Sequence, residues 1–354
     1  MAPTALIVGV TGIAGRNLAE HLLEAGGWTV HGLARHPEGA PEGVEPVAAD
    51  LRDAASVRQA LAGLQPTHVF LTTWSRQATE AENCAVNGAM VRHVLDALGH
   101  ARDLRHVALV TGLKHYLGPF EAYARTKPET PFREEQPRLP VENFYYVQED
   151  EVFAAAARRG FGWSVHRPHT LIGYALGNAM NMGVTLPVLA AICKETGRPF
   201  AFPGSPQQYE GVGDVTDARL LARHLAWAAT TPAARDEAFN VANGEVFRWQ
   251  WLWPRLAALY GVDPAPYPGH ARPLEEQMRD AGPVWERIVE RHGLRPNPVD
   301  RLASWWHTDA DLGRPIEAFT DMSKSRRLGF LDYQETLPSF ADVYRRLQAE
   351  RIVP

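Results

Sequence analysis

The sequence predicts an α/β fold: a Rossmann-type doubly wound parallel sheet with a smaller, mostly helical cap at the C-terminal end. Three observations predict it. Short apolar runs alternate with amphipathic stretches through the first half of the chain. The first apolar run leads at once into a glycine triplet, Gly9, Gly12 and Gly15, and then into a helical pattern. After Pro168 the alternation fades, Pro and Gly become denser, and tryptophans cluster at Trp249, Trp251 and Trp253 and again at Trp305 and Trp306.

Element by element, residues 5–8 read as a strand and 17–25 as a helix. Residues 29–33 read as a second strand, followed by a further strand before Asp50 and a helix over 56–64. Residues 68–72 are strand-like, and 86–98 are helical with Val91, Val94, Leu95 and Leu98 on one face. A strand at 107–110 and a helix that begins near Asn143 and ends near Gly160 come next. A strand at 163–166 stops at Pro168, a late strand lies at 238–241, and a helix lies at 252–260. The expected division is residues 1–170 for the nucleotide-binding sheet and 171–354 for the cap, with segments near 210–245 returning to the sheet.

The chain has 354 residues, 45% of them hydrophobic and 22% charged, which suits one large or two moderate globular domains. Its 36 Lys and Arg against 41 Asp and Glu give a net charge of −5, and no basic run is present, so nucleic acid is not an expected partner. Cys84 and Cys193 form no metal-ligand pattern and read as reduced thiols, so no metal is expected. The longest late apolar stretch, 184–193, is broken by Pro187 and falls short of the roughly 20 residues of a membrane helix. The expectation is a soluble cytoplasmic protein with no membrane partner. A homodimer is allowed.

The glycine triplet lies directly after a strand and directly before a helix. Glycines there permit a tight turn and close backbone approach, and the helix N-terminus attracts a pyrophosphate. Gly9, Thr11, Gly12, Ile13 and Ala14 are therefore dinucleotide-binding candidates. A chain selective for NAD places an Asp or Glu at the end of the second strand. This chain has Arg35 there, suited to a 2′-phosphate, so the expected cofactor is NADPH/NADP+. Asp50 and Leu51, after the next strand, are expected at the adenine. The strand ends at Thr72 and at Thr111 and Gly112 continue the same edge.

A tyrosine acid in a dinucleotide reductase needs a cation close by, usually four residues further along one helix. Tyr123 and Lys127 have that spacing, but Pro128 and Pro131 follow at once and forbid the long helix. The helix beginning near Asn143 carries Tyr145 and Tyr146, and the residues alone leave both as candidates. Four residues beyond Tyr145 stands Glu149, which would raise a phenol pKa. The cation must come from elsewhere, and Lys114, just past the strand at 107–110, is the candidate.

The run Thr111-Gly112-Leu113-Lys114-His115-Tyr116-Leu117-Gly118-Pro119-Phe120 and the run Asn143-Phe144-Tyr145-Tyr146-Val147-Gln148-Glu149-Asp150 resemble the progesterone 5β-reductase/iridoid synthase-like family. That family is an atypical branch of the extended short-chain dehydrogenase/reductases. The resemblance continues through Trp163–Pro168, Glu237–Gly244, Gly329-Phe330 and the final Ile352-Val353-Pro354. It implies NADPH-dependent 1,4-reduction of C=C bonds conjugated to a carbonyl, with a small apolar carbonyl compound as substrate. It places the catalytic pair at Tyr145 and Lys114, with Tyr145 also touching cofactor. Trp74, Phe120 and Phe330 become expected substrate contacts. Pro168, Thr170 and Leu171 become nicotinamide-side contacts, although the chain reads His169-Thr170-Leu171-Ile172-Gly173 where plant members carry Gly-Asn.

Three other readings remain open. A sugar-nucleotide epimerase or dehydratase shares the extended fold but keeps its Tyr and Lys on the long helix. A carbonyl (1,2) reductase uses the same Tyr and Lys. A non-enzymatic NADP sensor needs neither.

Overall fold

The structure is a computed structural model that describes residues 2–119 and 128–354. Phe120, Tyr123 and Lys127 lie outside the described residues. Nine strands are present among those described: β1 (Thr4–Val8), β2 (Thr29–Ala34), β3 (Glu45–Ala48), β4 (His68–Leu71), β5 (His106–Val110), β6 (Gly162–Pro168), β7 (Leu171–Ile172), β8 (Thr216–Asp217) and β9 (Glu237–Val241). Seven of them form one parallel sheet in the order β3-β2-β1-β4-β5-β6-β9, and β7 pairs with β8. The order reverses between β1 and β4, and a cleft opens at the carboxyl ends of the strands there.

The helices that matter for the site are α1 (Ile13–Ala25), α2 (Ala54–Leu61), α3 (Glu80–Ala97), α4 (Lys114–Leu117), α5 (Phe144–Arg159), α6 (Met182–Thr196), α7 (Pro206–Glu210) and α8 (Ala218–Thr230). The sheet is covered on both faces, so its central strands are largely apolar. Leu6 and Val8 of β1 pack with α2, α3 and α5 on one face, whereas Ala5 and Ile7 pack with α1 and α8 on the other. Each such fully buried Leu or Ile contributes roughly 1.5–3 kcal/mol.

The cap is built from α6, α9 (Trp249–Tyr260), α10 (Leu274–Gln277), α11 (Ala281–His292), α12 (Val299–Leu302), α13 (Trp305–Leu312) and α15 (Thr336–Ala349), whereas α14 (Ser323–Arg327) packs on β9. Its core holds Trp253, Trp285, Phe200, Phe202 and Phe340. β9 and α8 leave the cap's stretch of sequence and return to the sheet. No described helix is long and apolar enough to cross a membrane.

Helices α1 and α9 start three or four residues earlier than the sequence predicts, α2 ends three earlier, and two further differences have a clear local cause. α3 starts at Glu80, six residues before the periodic pattern. Its first turns are polar, and a capping box sets the start: Glu82 N–H donates to Thr79 Oγ1 (3.2 Å) and Thr79 N–H to Glu82 Oε2 (3.1 Å). β6 runs on through Pro168, because its pairing with β5 ends at His166 and only β9 lies alongside the last residues.

Candidate active site

A cavity of about 940 Å³ opens over the carboxyl ends of β1, β2, β4, β5 and β6 and is closed on the far side by the cap. Gly9, Thr11, Gly12, Ile13, Ala14, Arg35, Asp50, Leu51, Thr72, Thr111, Gly112, Tyr145, Pro168, Thr170 and Leu171 all line it, as do Lys114 and Trp74.

The glycine loop forms the floor at the switch point. Gly9 has φ +94°, a left-handed conformation that favours glycine, and a Cβ there would lie 2.7 Å from the Thr73 Cβ. A Cβ on Gly15 would stand 2.3 Å from the Gly9 carbonyl oxygen, so only glycine lets α1 start so close to the loop. α1 has no side-chain cap and no acidic residue in its first turn. Its leading N–H groups and the positive end of its dipole therefore face the cavity uncompensated by protein. Thr72 ties the loop to the sheet: its hydroxyl donates to the Val8 carbonyl (2.8 Å).

At the β2 end the exposed Arg35 guanidinium lines the cavity, and no carboxylate accompanies it on that strand end. Asp50 is bound by Arg52 through Nε (3.1 Å) and Nη2 (2.7 Å), and these bonds hold its carboxyl down at about 2. Arg52 also lines the cavity. Sequence reasoning passed over Arg52, although its place two residues after Asp50 was visible.

At the β5 end, Lys114 and Tyr145 come from different elements. Thr111 N–H donates to the His166 carbonyl (2.8 Å), which fixes the strand end, and α4 begins at Lys114. Lys114 is buried, with Nζ 4.9 Å from the ring centre of Phe144 and 5.4 Å from that of Trp74. Trp74 stacks on Phe144 at 5.2 Å. The Tyr145 hydroxyl lies over Gly112, where an added Cβ would stand 3.3 Å from it. Asn143 joins the two candidates. Its Oδ1 accepts from Tyr145 N–H (3.0 Å) as the α5 N-cap, and its Nδ2 donates to the Lys114 carbonyl (2.7 Å).

The neighbouring groups turn elsewhere. Tyr146 donates to the His115 carbonyl (2.6 Å), accepts from Leu139 N–H (2.9 Å) and does not line the cavity. Tyr116 bonds Asn240 (2.6 Å), and burial pushes its hydroxyl up to about 12. Burial, assisted by Arg167, pushes His115 down to about 3. Glu149 is buried beside Arg138 (2.8 Å) and Arg167 (3.7 Å), so its charge is answered away from the cavity.

Phe330 is a correction to the sequence reading. It does not line the cavity. Its ring packs 4.5 Å from His224 and 5.4 Å from Trp227, against α8. A Gly-Phe motif near the chain end carries no signal of which surface its ring covers.

The opposite wall is polar and was not legible in the sequence. His169 Nδ1 lies 2.6 Å from Asp214 Oδ1, and Arg314 Nη1 donates to His169 Nε2 (2.6 Å). Arg314 also pairs with Asp311, which accepts from Thr170 Oγ1 (2.9 Å). Asp214 further accepts from Thr320 through N–H (2.8 Å) and Oγ1 (2.7 Å). His169, Asp311, Arg314 and His307 line the cavity.

Known proteins share the sequence pattern and the fold of this chain. The PRISE-like Rossmann-fold domain matches residues 49–354. An (S)-8-oxocitronellyl enol synthase of Camptotheca acuminata is 43% identical, over 99% of this chain and 93% of its own length. A 3-oxo-Delta(4,5)-steroid 5-beta-reductase of Arabidopsis thaliana is 40% identical, over 99% of this chain and 93% of its own. Among solved structures, a UDP-glucose 4-epimerase of Thermotoga maritima superposes with a TM-score of 0.67 at 14% identity, covering 98% of this chain and 99% of that one. That likeness is one of fold. The chain belongs to the PRISE-like Rossmann-fold family and is an oxidoreductase.

Proposed function

We propose that this chain reduces the C=C bond of enones and enals by 1,4-addition, with NADPH as reductant. The observation that carries the reading is the convergence of Tyr145 and Lys114 on the same end of the cavity, beside Gly112 and Trp74. The names of the relatives, one for an enol synthase and one for reduction of a 3-oxo-Delta(4,5) steroid, support it.

The residues present fit a dinucleotide. The uncapped start of α1 suits a pyrophosphate, and Gly9 and Gly15 stand where a side chain would collide with the loop. Arg35 and Arg52 supply two guanidiniums where a 2′-phosphate would lie, which favours NADPH over NADH. When bound, the dinucleotide supplies the hydride. Tyr145 donates a hydrogen bond, or a proton, to the substrate carbonyl oxygen as negative charge gathers there. One positioned donor of this kind is worth a factor of roughly 100–1000. Lys114 keeps a desolvated positive charge nearby and favours both the enolate and an anionic tyrosine. Trp74 and Phe144 wall the reacting end with apolar surface.

Tyr145→Phe is expected to lower kcat at least about a hundredfold while NADPH still binds, and near wild-type turnover removes Tyr145 from the mechanism. Arg35→Ala is expected to raise KM for NADPH about tenfold and that for NADH little, and equal effects would overturn the NADPH assignment. NADPH oxidation with 2-cyclohexen-1-one, progesterone and 8-oxogeranial, with product identification, tests the reaction class. A saturated carbonyl product supports 1,4-reduction, and an allylic alcohol means 1,2-reduction. Stoichiometric NADPH binding without oxidation means a redox-sensing role.

A further inference from the structure

A second cavity, of about 280 Å³, lies within the cap between α6, α10 and residues 198–201. Leu189, Phe200, Leu274 and Met278 line it with apolar surface, and all four are buried. Arg198 and Arg272 line it too, and among the described residues no carboxylate does.

The two guanidiniums differ. Arg198 is engaged: its Nη1 donates to Asp280 Oδ1 (2.9 Å) and to the Gln277 carbonyl (3.1 Å). Arg272 is exposed, and among the described residues its guanidinium has no hydrogen bond or ion pair. Its main chain is nevertheless fixed. Its N–H donates to the Pro203 carbonyl (2.9 Å), and its carbonyl accepts from Gln277 Nε2. Cys193 also lines the pocket, and burial pushes its thiol up to about 11, so it carries no charge. The pocket thus sets apolar surface beside one unanswered positive charge. Ligand sites commonly span roughly 300–1,000 Å³, so this one suits a small molecule. A lone guanidinium beside an apolar wall suits an aliphatic chain that ends in a carboxylate.

α10 separates this pocket from the larger cavity. Leu274 lines the pocket, and Glu275 lines the larger cavity. Both main-chain N–H groups donate to Asp309 of α13, Leu274 to Oδ1 (2.7 Å) and Glu275 to Oδ2 (2.9 Å). Trp305, Trp306 and His307 of α13 line the larger cavity, whereas Asp309 lines neither. A helix as short as α10 does not hold itself together, so its place depends on Asp309 and on the burial of Leu274.

We propose that this pocket binds a small aliphatic carboxylate, with its chain against Leu189, Phe200, Leu274 and Met278 and its carboxylate on Arg272, and that occupancy steadies the α13 wall of the larger cavity through α10 and Asp309. The proposal goes beyond the enone reading and does not depend on it.

Hexanoate is the probe, and 1-hexanol is its uncharged counterpart. Calorimetric titration of the full chain at low salt gives the Kd of each. Amide hydrogen exchange with and without hexanoate shows which segments it orders. Wild type is expected to bind hexanoate about tenfold more tightly than hexanol, and Arg272→Ala to lose that ratio while NADPH binding stays as it was. Ala201→Leu, which enlarges a half-buried lining residue, is expected to weaken both probes. In wild type, hexanoate is expected to slow exchange at residues 274–278 and 305–312, and in Asp309→Ala only at 274–278. No hexanoate binding, an equal Kd for the two probes, or an unchanged Kd in Arg272→Ala overturns the site. Slowing at 305–312 without 274–278 places hexanoate in the larger cavity and also overturns it. Slowing at 274–278 alone in wild type overturns the linkage through Asp309.

Discussion

Two buried networks in this chain use histidine in opposite ways. Between the sheet and α8, His106 Nε2 and His166 Nε2 each lie 2.8 Å from Ser164 Oγ, and His166 Nδ1 lies 3.0 Å from His224 Nδ1. Among the described residues no carboxylate joins them. Burial pushes His106 and His224 down to about 3 and His166 well below its usual value. At the cavity wall, His169 stands instead between a carboxylate, Asp214, and a guanidinium, Arg314. The first network lines no part of the cavity, and the second does. Buried charge is costly unless paired and hydrogen-bonded. At the wall the buried charges are paired, and in the His106–His166–His224 network the charge is left out.

Acid should separate the two networks most. An unfolded histidine titrates near pH 6.5, whereas the three histidines of this network stay neutral to much lower pH when folded. Below about pH 6.5 the unfolded chain therefore binds protons that the folded chain refuses. Stability is complete above that range and falls as pH drops, by up to about 1.4 kcal/mol per histidine per pH unit. Urea midpoints at about pH 7 and about pH 5 check this, and equal midpoints would break the comparison.

Removing one charge from the wall comes next. Asp214→Ala leaves His169 Nδ1 and the two Thr320 donors without their acceptor, and is expected to cost about 3–5 kcal/mol in urea unfolding. A cost below about 1 kcal/mol would mean that the wall tolerates unpaired donors. The smallest effect is expected in the neutral network. Ser164→Ala removes the bridge between two histidines for about 1–3 kcal/mol, with the Kd for NADPH unchanged because Ser164 lies away from the cavity. A weakened Kd would tie the sheet interior to the site.

The same contrast explains what could be read from sequence. The dinucleotide side is built by backbone over short spans. Gly9, Gly12 and Gly15 sit within one turn, and Arg35, Thr72 and Thr111 each mark the end of a periodic strand. Local pattern is enough to find such positions. The cap wall is assembled from residues 169, 214, 307, 311 and 314; helical spacing relates the last three, but nothing in it ties them to 169 or 214. Only the departure at His169-Thr170 gave a sign that this stretch was unusual. Phe330 shows the converse. A motif was read as a pocket wall, whereas its ring in fact covers His224 of the neutral network. The early start of α3 was missed for a related reason: a cap at Thr79 and Glu82 sets it, and hydrophobic periodicity is blind to caps.

One small contact has a wider consequence. When an acid and its cation share a helix, the helix itself keeps their separation. Here the two candidates, Tyr145 and Lys114, sit on α5 and α4, and the Asn143 side chain bonds the main chain of both. A shift of either element therefore drags on the other through that amide and through the bond from Tyr146 to the His115 carbonyl. Such a linkage frees the position four residues after Tyr145, and the chain uses that freedom to bury Glu149 between Arg138 and Arg167 as an anchor for α5.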